Sequence, residues 1–327
     1  MSMLRKQSIY LFLFWVVNHF ATANNPLTAQ NMDMMMAEQD LIQVSPLIIA
    51  GENDSAKFAA AEWVAEKLAE LLLKKTSFDY PFDLLKHTTV AIASAPKCNV
   101  RIFSFNVIRE SGTFYHYGFI QRKTRKGIQV FALRDSVDAL PKDFSEATIS
   151  YPEWYGALYY QLIPISKPYK NHYIVLGFDG HNIHSNRSVM DVLYFENNEP
   201  QWGKPLFRES IEDPTPEVRW SWEYHKGAKL VLRYLAEKNI IVCDELGPSY
   251  PAAKGNPYYY IPTGDYSIFK PNKSGFWVMA PSDLTDFGQE EKPNVLLPER
   301  PMPTEPPEEY KDPKNLFRPD PNSPDGD

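Results

Sequence analysis

Hydrophobic residues recur every three to four positions between residues 54 and 75, and acidic residues line another side of the same segment. This spacing predicts an amphipathic helix whose apolar face packs against the rest of the protein. Asn53, Asp54 or Ser55 can cap its first turn. A helix that binds a partner would show the same pattern, although packing within the chain is the commoner use. The apolar positions are Phe58, Ala61, Val64, Ala65, Leu68, Leu71 and Leu72.

From about residue 99 the pattern changes to short runs rich in β-branched and aromatic residues, separated by turn residues. In "RWSWEYH", Trp220, Trp222 and Tyr224 fall on one face of a strand and the residues between them on the other. Links such as "ESG", "RKTRKG" and "HKG" are short enough for hairpins. The pattern predicts a mainly β fold, an antiparallel meander that forms a barrel- or sandwich-like body with the N-terminal helix packed on it.

The two ends of the chain have their own compositions. Arg5 and Lys6, the apolar run "IYLFLFWVV" and the small residues of Ala21-Thr22-Ala23 predict a signal peptide. The mature protein is expected to be periplasmic or secreted, without a transmembrane span, because no later stretch approaches about 20 apolar residues. The C-terminal end is acidic and rich in proline, which predicts disorder. The predicted divisions are a signal peptide (1–23), a helical segment (24–95), an antiparallel β domain (96–284) and a disordered tail (285–327).

Charge and cysteine content narrow the function classes. The formal net charge is −7, and the basic residues are scattered apart from the run at 122–127. This argues against nucleic acid as a partner, since phosphates favour a concentrated basic face. The chain has only Cys98 and Cys243. They form either one disulfide or two separate buried thiols, and the sequence leaves both open.

Four segments carry a family resemblance: "WYGALYYQLIP", "YIVLGFDGHN", "VMDVLYF" and "AKLVLRYLAEKNIIVCDEL". Over roughly residues 95–280 the chain resembles a group of exported β-rich proteins of Bacteroidota that carry no assigned activity. The resemblance implies export and a β-rich body. It supplies no catalytic residue.

The loop after "LGF" concentrates ligand-type side chains, with Asp179, His181 and His184 inside six residues. Zinc and other transition metals take such ligands. A turn is the favoured interpretation of the loop, because Asp179-Gly180 tolerates positive φ and Asn182, Ser185 and Asn186 can bond the freed backbone groups. A polar rim around a ligand is the third interpretation. No cofactor is expected beyond a divalent metal in this loop.

The segment "GNPYYYIPTGDY" (255–266) is the best candidate for an exposed aromatic platform that binds a sugar or peptide. Three consecutive tyrosines cannot all face the core. The alternative is ordinary β-sheet packing, since aromatic residues favour strands and fill β cores. The candidate binding residues are Tyr258, Tyr259, Tyr260 and Tyr266.

No nucleophile elbow, phosphate-binding loop, dinucleotide fingerprint or His-Glu-x-x-His motif occurs in the sequence. The sequence therefore favours a non-catalytic binding or structural protein of the bacterial envelope, with a glycan or an envelope protein as its partner. The alternative is an extracytoplasmic hydrolase, metal-assisted or carboxylate-based, centred on the 179–184 loop with help from Glu223 or His225. Acidic residues near strand ends, which could supply a pair of carboxylates, are Glu153, Asp179, Glu223, Asp244 and Glu245.

Overall fold

The computed structural model describes residues 26–136, 146–166 and 168–281. The predicted signal peptide and proline-rich tail lie outside these residues. Within them the chain is mainly β, with several antiparallel sheets and an N-terminal helical segment, which confirms the predicted fold class. The sheets described do not close into a barrel.

The helical segment contains the predicted amphipathic helix and a second long helix that its sequence pattern did not reveal. The Asn53 side chain caps the predicted helix by accepting a hydrogen bond from the Ala56 N–H, at 2.9 Å. No helix in the described part of the chain is long and apolar enough to cross a membrane. The α-helices are α1 (Pro26–Val44), α2 (Leu47–Ala50) and α3 (Asp54–Leu72), and short 3-10 helices span Ser77–Asp79, Leu85–His87, Pro251–Ala253 and Pro257–Tyr259.

Sixteen strands in the described residues form three sheets. The first contains β1 (Ala91–Ser94), β2 (Val100–Ile108), β3 (Phe114–Thr124), β4 (Gly127–Asp135) and β6 (Glu153–Trp154). The second contains β5 (Ile149–Ser150), β7 (Leu158–Pro164), β8 (His172–Asp179), β9 (Ser185–Glu196), β10 (Glu199–Trp202) and β12 (Arg219–His225). The third contains β11 (Phe207–Arg208), β13 (Leu232–Leu235), β14 (Ile240–Pro248), β15 (Tyr260–Pro271) and β16 (Trp277–Pro281).

Each sheet is built around an antiparallel meander of four consecutive strands: β1 to β4, β7 to β10 and β13 to β16. Short strands extend each meander. Two of these pairings are parallel, β6 with β4 and β11 with β16. Over residues 187–191, β9 pairs with β12 along one edge and with β8 along the other. The antiparallel prediction is therefore confirmed for the meanders. The first strand, at Ala91–Ser94, begins before the predicted domain start at residue 96.

The helices and sheets stack in layers, because alternate side chains of a strand pack into the cores on its two faces. Phe103 and Phe105 on β2 pack against the helices, whereas Ile102 on the same strand packs against the second sheet. Likewise, Val175 on β8 faces the first sheet and Leu176 faces the third. Because β2 and β8 each bury both faces, the layers follow the order helices, first sheet, second sheet and third sheet.

The two cysteines lie in different layers and are both free. Cys98 packs at the edge of the core between the first and second sheets, and Cys243 is buried between the second and third. Burial raises the pKa of both thiols. Of the two alternatives that the sequence left open, the structure has the separate thiols.

Candidate functional site

Two neighbouring strands of the second sheet place an ion pair at one end of the sheet. Arg187 on β9 and Glu223 on β12 are partners in the strand register and project from the same face. The Arg187 Nε and Nη2 donate to Glu223 Oε2 at 3.0 and 2.9 Å. The Ser185 hydroxyl donates to Glu223 Oε1 at 2.6 Å. The side chains of the pair are 19% and 18% exposed, so the pair is held rigidly yet reaches solvent.

The loop between β8 and β9 is fixed by its own hydrogen bonds. The Asp179 carboxylate accepts from the His181 N–H at 2.8 Å, and the Asn182 side chain accepts from the N–H groups of His184 and Ser185. Positive φ falls on His181, at 49°, rather than on the expected Gly180. Gly180 is required for a different reason, because a Cβ there would collide with the Phe114 ring.

Behind the loop lies a buried cluster of titratable side chains. His116 on β3 is 2% exposed, and its Nδ1 lies 3.1 Å from Asp135 Oδ2. Its Nε2, which makes no hydrogen bond, lies 3.7 Å from Asp179 Oδ1. The Tyr155 hydroxyl donates to Asp179 Oδ2 at 3.3 Å. Burial and the Asp179 charge raise the pKa of Tyr155, so this phenol stays protonated and keeps donating.

His181 lies between two carboxylates. Its Nδ1 is 3.9 Å from Asp179 Oδ2 and its Nε2 is 3.7 Å from Glu223 Oε1. Burial, followed by the Arg187 charge, lowers the pKa of His181 despite these two anions. The imidazole is therefore neutral near pH 7 and can accept a proton or a hydrogen bond.

A concave pocket joins the two segments that the sequence singled out. We call it the loop pocket: it has a volume of about 570 Å³ and is lined by His181, Arg187, Glu223, Tyr250 and residues 252–259. The volume lies in the range typical of small-molecule sites. The histidine loop and the tyrosine segment, about 75 residues apart in sequence, therefore belong to one site.

The four candidate tyrosines have different positions. Tyr258 is 38% exposed, lines the loop pocket and stacks on His184 with ring centroids 5.2 Å apart. Tyr259 also lines the pocket but is only 8% exposed and packs edge-on against Tyr250. Tyr260 and Tyr266 are half-buried on β15. The exposed aromatic surface is thus reduced to Tyr258, and whether these residues bind a ligand stays a prediction.

The candidate metal ligands do not form a compact set. Asp179 is buried and already accepts hydrogen bonds, His181 lines the pocket, and exposed His184 stacks on the Tyr258 ring. Arg187 places a positive charge beside them. In the part of the chain that the structure describes, no group of three or more His, Cys, Asp and Glu side chains is arranged to hold a metal ion. The metal site stays a prediction without geometric support.

The other acidic candidates have local partners. Glu153 pairs with Arg134 at 3.1 Å, and the exposed Glu245 accepts from Ser267. Asp244 is buried and accepts from the Val231 N–H at 2.7 Å. Among the five acidic candidates, Asp179 and Glu223 are the two that flank His181.

Sequence reasoning missed Arg187, whose charge acts on His181, and three residues behind the loop: Tyr155 and His116, which lie beside Asp179, and Asp135, which contacts His116. One of these contacts had a sequence signal. The hairpin after Thr124 pairs that residue with Gly127, and counting back along both strands places His116 opposite Asp135. Arg187 meets Glu223 only through the β9–β12 register, which a short hairpin does not set.

The comparisons with known proteins return nothing: no protein-family model, no curated protein and no solved structure matches this chain.

Proposed function

We propose that this chain is an exported, β-rich binding protein of the bacterial envelope that holds a small polar ligand in the loop pocket. The observation that carries the proposal is that His181, Arg187 and Glu223 line the same cavity as Tyr258. Polar groups fixed by neighbouring hydrogen bonds, beside an exposed aromatic ring, are typical of a specific ligand site.

The polar side chains and the loop of the site are held in place by hydrogen bonds within the chain. Glu223 is held by Arg187 and Ser185, and the loop is anchored where Lys226 Nζ donates to the Gly180 carbonyl oxygen at 2.6 Å. Such rigidity lowers the entropy lost on binding. It supports a binding role whether or not chemistry follows.

Export rests on the sequence of the first 23 residues, which combines basic, apolar and small-residue regions in the order of a signal peptide. Expression of the full chain in a Gram-negative host tests it. Mass spectrometry of the periplasmic and secreted fractions should find a product that starts near Asn24. Product that keeps Met1 and remains in the cytoplasm would refute export.

The binding role is tested by filling the pocket. Ala252 is exposed and lines the loop pocket, so Ala252→Trp should occlude it. Ala236, an exposed alanine in the turn after β13, provides the matched control Ala236→Trp. Ligand-observed NMR with a library of sugars, amino acids, nucleosides and dicarboxylates should give signals that Ala252→Trp abolishes and Ala236→Trp preserves. A library without such a compound would refute the binding role.

A second candidate function is hydrolysis by an imidazole that two carboxylates flank, favoured by the position of His181 between Asp179 and Glu223. The neutral imidazole faces the pocket, where it could act as a general base oriented by Asp179. Turnover of 4-nitrophenyl glycosides or esters that His181→Ala and Glu223→Gln both abolish would support it. Turnover unchanged in both variants would exclude this site as its source.

A further inference from the structure

We infer that the ligand of the loop pocket is a neutral pyranose sugar, free or at the end of a glycan. This inference rests on the proposed binding function and names its ligand class. It is carried by the juxtaposition of the Arg187–Glu223 pair with the Tyr258 ring in one cavity.

The ion pair presents a strong donor and a strong acceptor side by side. Adjacent sugar hydroxyls match this arrangement, because each hydroxyl both donates and accepts. A charged ligand would be attracted by one member of the pair and repelled by the other, and the two charges cancel each other at 2.9 Å. Lys254, which also lines the pocket, is exposed, so solvent screens its charge. The pair therefore suits the hydroxyls of a neutral polyhydroxyl compound.

The aromatic part of the pocket suits the apolar face of a pyranose ring. Tyr258 is 38% exposed, and its stacking on His184 holds the phenol ring in one orientation. Sugar C–H groups carry a partial positive charge and pack against the negative face of an aromatic ring. A flat donor-rich ligand without such a C–H face would lose this contact.

The backbone of the tyrosine segment does not favour phosphate. Its N–H groups already donate within the segment: Lys254 to the Pro251 carbonyl, Gly255 to the Tyr260 hydroxyl and Tyr258 to the Asn256 side chain. Phosphate-binding loops instead turn successive N–H groups toward the anion. The pocket therefore recognises its ligand through side chains.

The experiment measures binding of named probes to the purified full chain by saturation-transfer NMR and calorimetry. The sugar probes are the methyl glycosides of glucose, galactose, mannose and N-acetylglucosamine, with cellobiose and maltose. Citrate, glutamate, spermidine and inorganic phosphate serve as charged probes of other classes. At least one sugar should bind saturably, and none of the charged probes should compete with it.

Paired variants assign that binding to the two features. Tyr258→Ala should weaken it at least about tenfold and Tyr258→Phe, which keeps the ring, less than about threefold. Glu223→Gln should weaken it at least about tenfold, whereas Glu245→Gln, at an exposed carboxylate that also accepts from a serine, should leave it unchanged. Circular dichroism melting checks that each variant is folded.

Three outcomes overturn the inference. Binding confined to the charged probes, and lost in Ala252→Trp, would refute the sugar class while the binding role stands. Sugar binding that survives Tyr258→Ala and Glu223→Gln would place the sugar elsewhere. Absence of any sugar probe whose binding Ala252→Trp abolishes would refute the inference, whereas the binding role fails only if the whole compound library also contains no such compound.

Discussion

Strands β9 and β12 carry two ion pairs of the same kind, and the two lie in opposite surroundings. The core pair, Asp191 and Arg219, is fully buried, and Arg219 Nε donates to Asp191 Oδ2 at 2.6 Å. The pocket pair, Arg187 and Glu223, lies four residues away along each strand on the same face and reaches the loop pocket. A guanidinium–carboxylate pair is thus enclosed in the core at one position and open to the loop pocket at the other.

The difference lies in what covers each pair. The core pair is enclosed by the first sheet and the segment around residue 147, where Arg219 Nη1 reaches the Ala147 carbonyl. Burial raises the pKa of Asp191 although Arg219 opposes this change. The pocket pair has no such cover, because the loop at residues 180–184 and the segment at 250–259 leave a cavity in front of it. The function proposed for this site therefore rests on incomplete burial of the pair rather than on an unusual residue.

Breaking the core pair should destabilise the protein more than any other substitution considered for the two pairs. Arg219→Met leaves the Asp191 carboxylate buried without its cation, and should lower the free energy of unfolding by about 3–5 kcal/mol. Denaturant unfolding followed by circular dichroism measures it. The double variant Asp191→Leu/Arg219→Met should recover most of this loss, because it removes both charges. A double variant no more stable than Arg219→Met would contradict this account.

The same substitution in the pocket pair should cost less. Arg187→Met leaves Glu223 beside water in the loop pocket and still bonded to Ser185, so we expect a loss of about 1 kcal/mol. The measurement is the same unfolding experiment. Equal losses for Arg187→Met and Arg219→Met would mean that the pocket does not solvate its pair, and would remove the contrast between the two positions.

Much of the sheet could be predicted from sequence, because the strands alternate and the hairpins are short. The predicted strand "VRIFSFNVI" is β2 residue for residue, and "RWSWEYH" places Trp220 and Trp222 on the face that packs against the third sheet. By contrast, the last three residues of "YYYIP" and all of "YSIF" lie in one strand, β15, and the first two tyrosines end a 3-10 helix. The spacing of hydrophobic residues and the choice of turn residues depend on nearby sequence, so both could be predicted.

The site was only partly predictable because its assembly is not local. Asp179 and His181 were visible as a cluster, but the neighbours that set their chemistry come from β3, β9 and β12. The β9–β12 register is set by packing across a long connection, and a shift of one residue would turn Glu223 away from Arg187. His181, Arg187 and Glu223 meet Tyr258 only because the third sheet lies against the second. The spacing of hydrophobic residues does not predict how two sheets pack.

Acidification should destabilise the folded protein through His181. Burial, then the Arg187 charge, lowers the pKa of this imidazole in the folded protein. Below about pH 6.5 the unfolded chain therefore binds a proton more readily than the folded chain, and stability falls as the pH drops toward the folded pKa. Between about pH 7.5 and about pH 5.5, His181→Gln should lose less free energy of unfolding than the unmodified protein. An equal loss would contradict the assignment.

The two thiols also differ in burial, and we expect this difference to have a small effect on their rates of alkylation. Cys98 is partly exposed and Cys243 is buried, and neither is bonded to the other. Because the thiolate is the reactive form and burial raises both pKa values, alkylation of the folded protein should be slow and should modify Cys98 first. Mass spectrometry after iodoacetamide treatment follows both sites. In denaturant without reductant both should react fully, whereas a requirement for reductant would show a disulfide and contradict the layer arrangement that separates them.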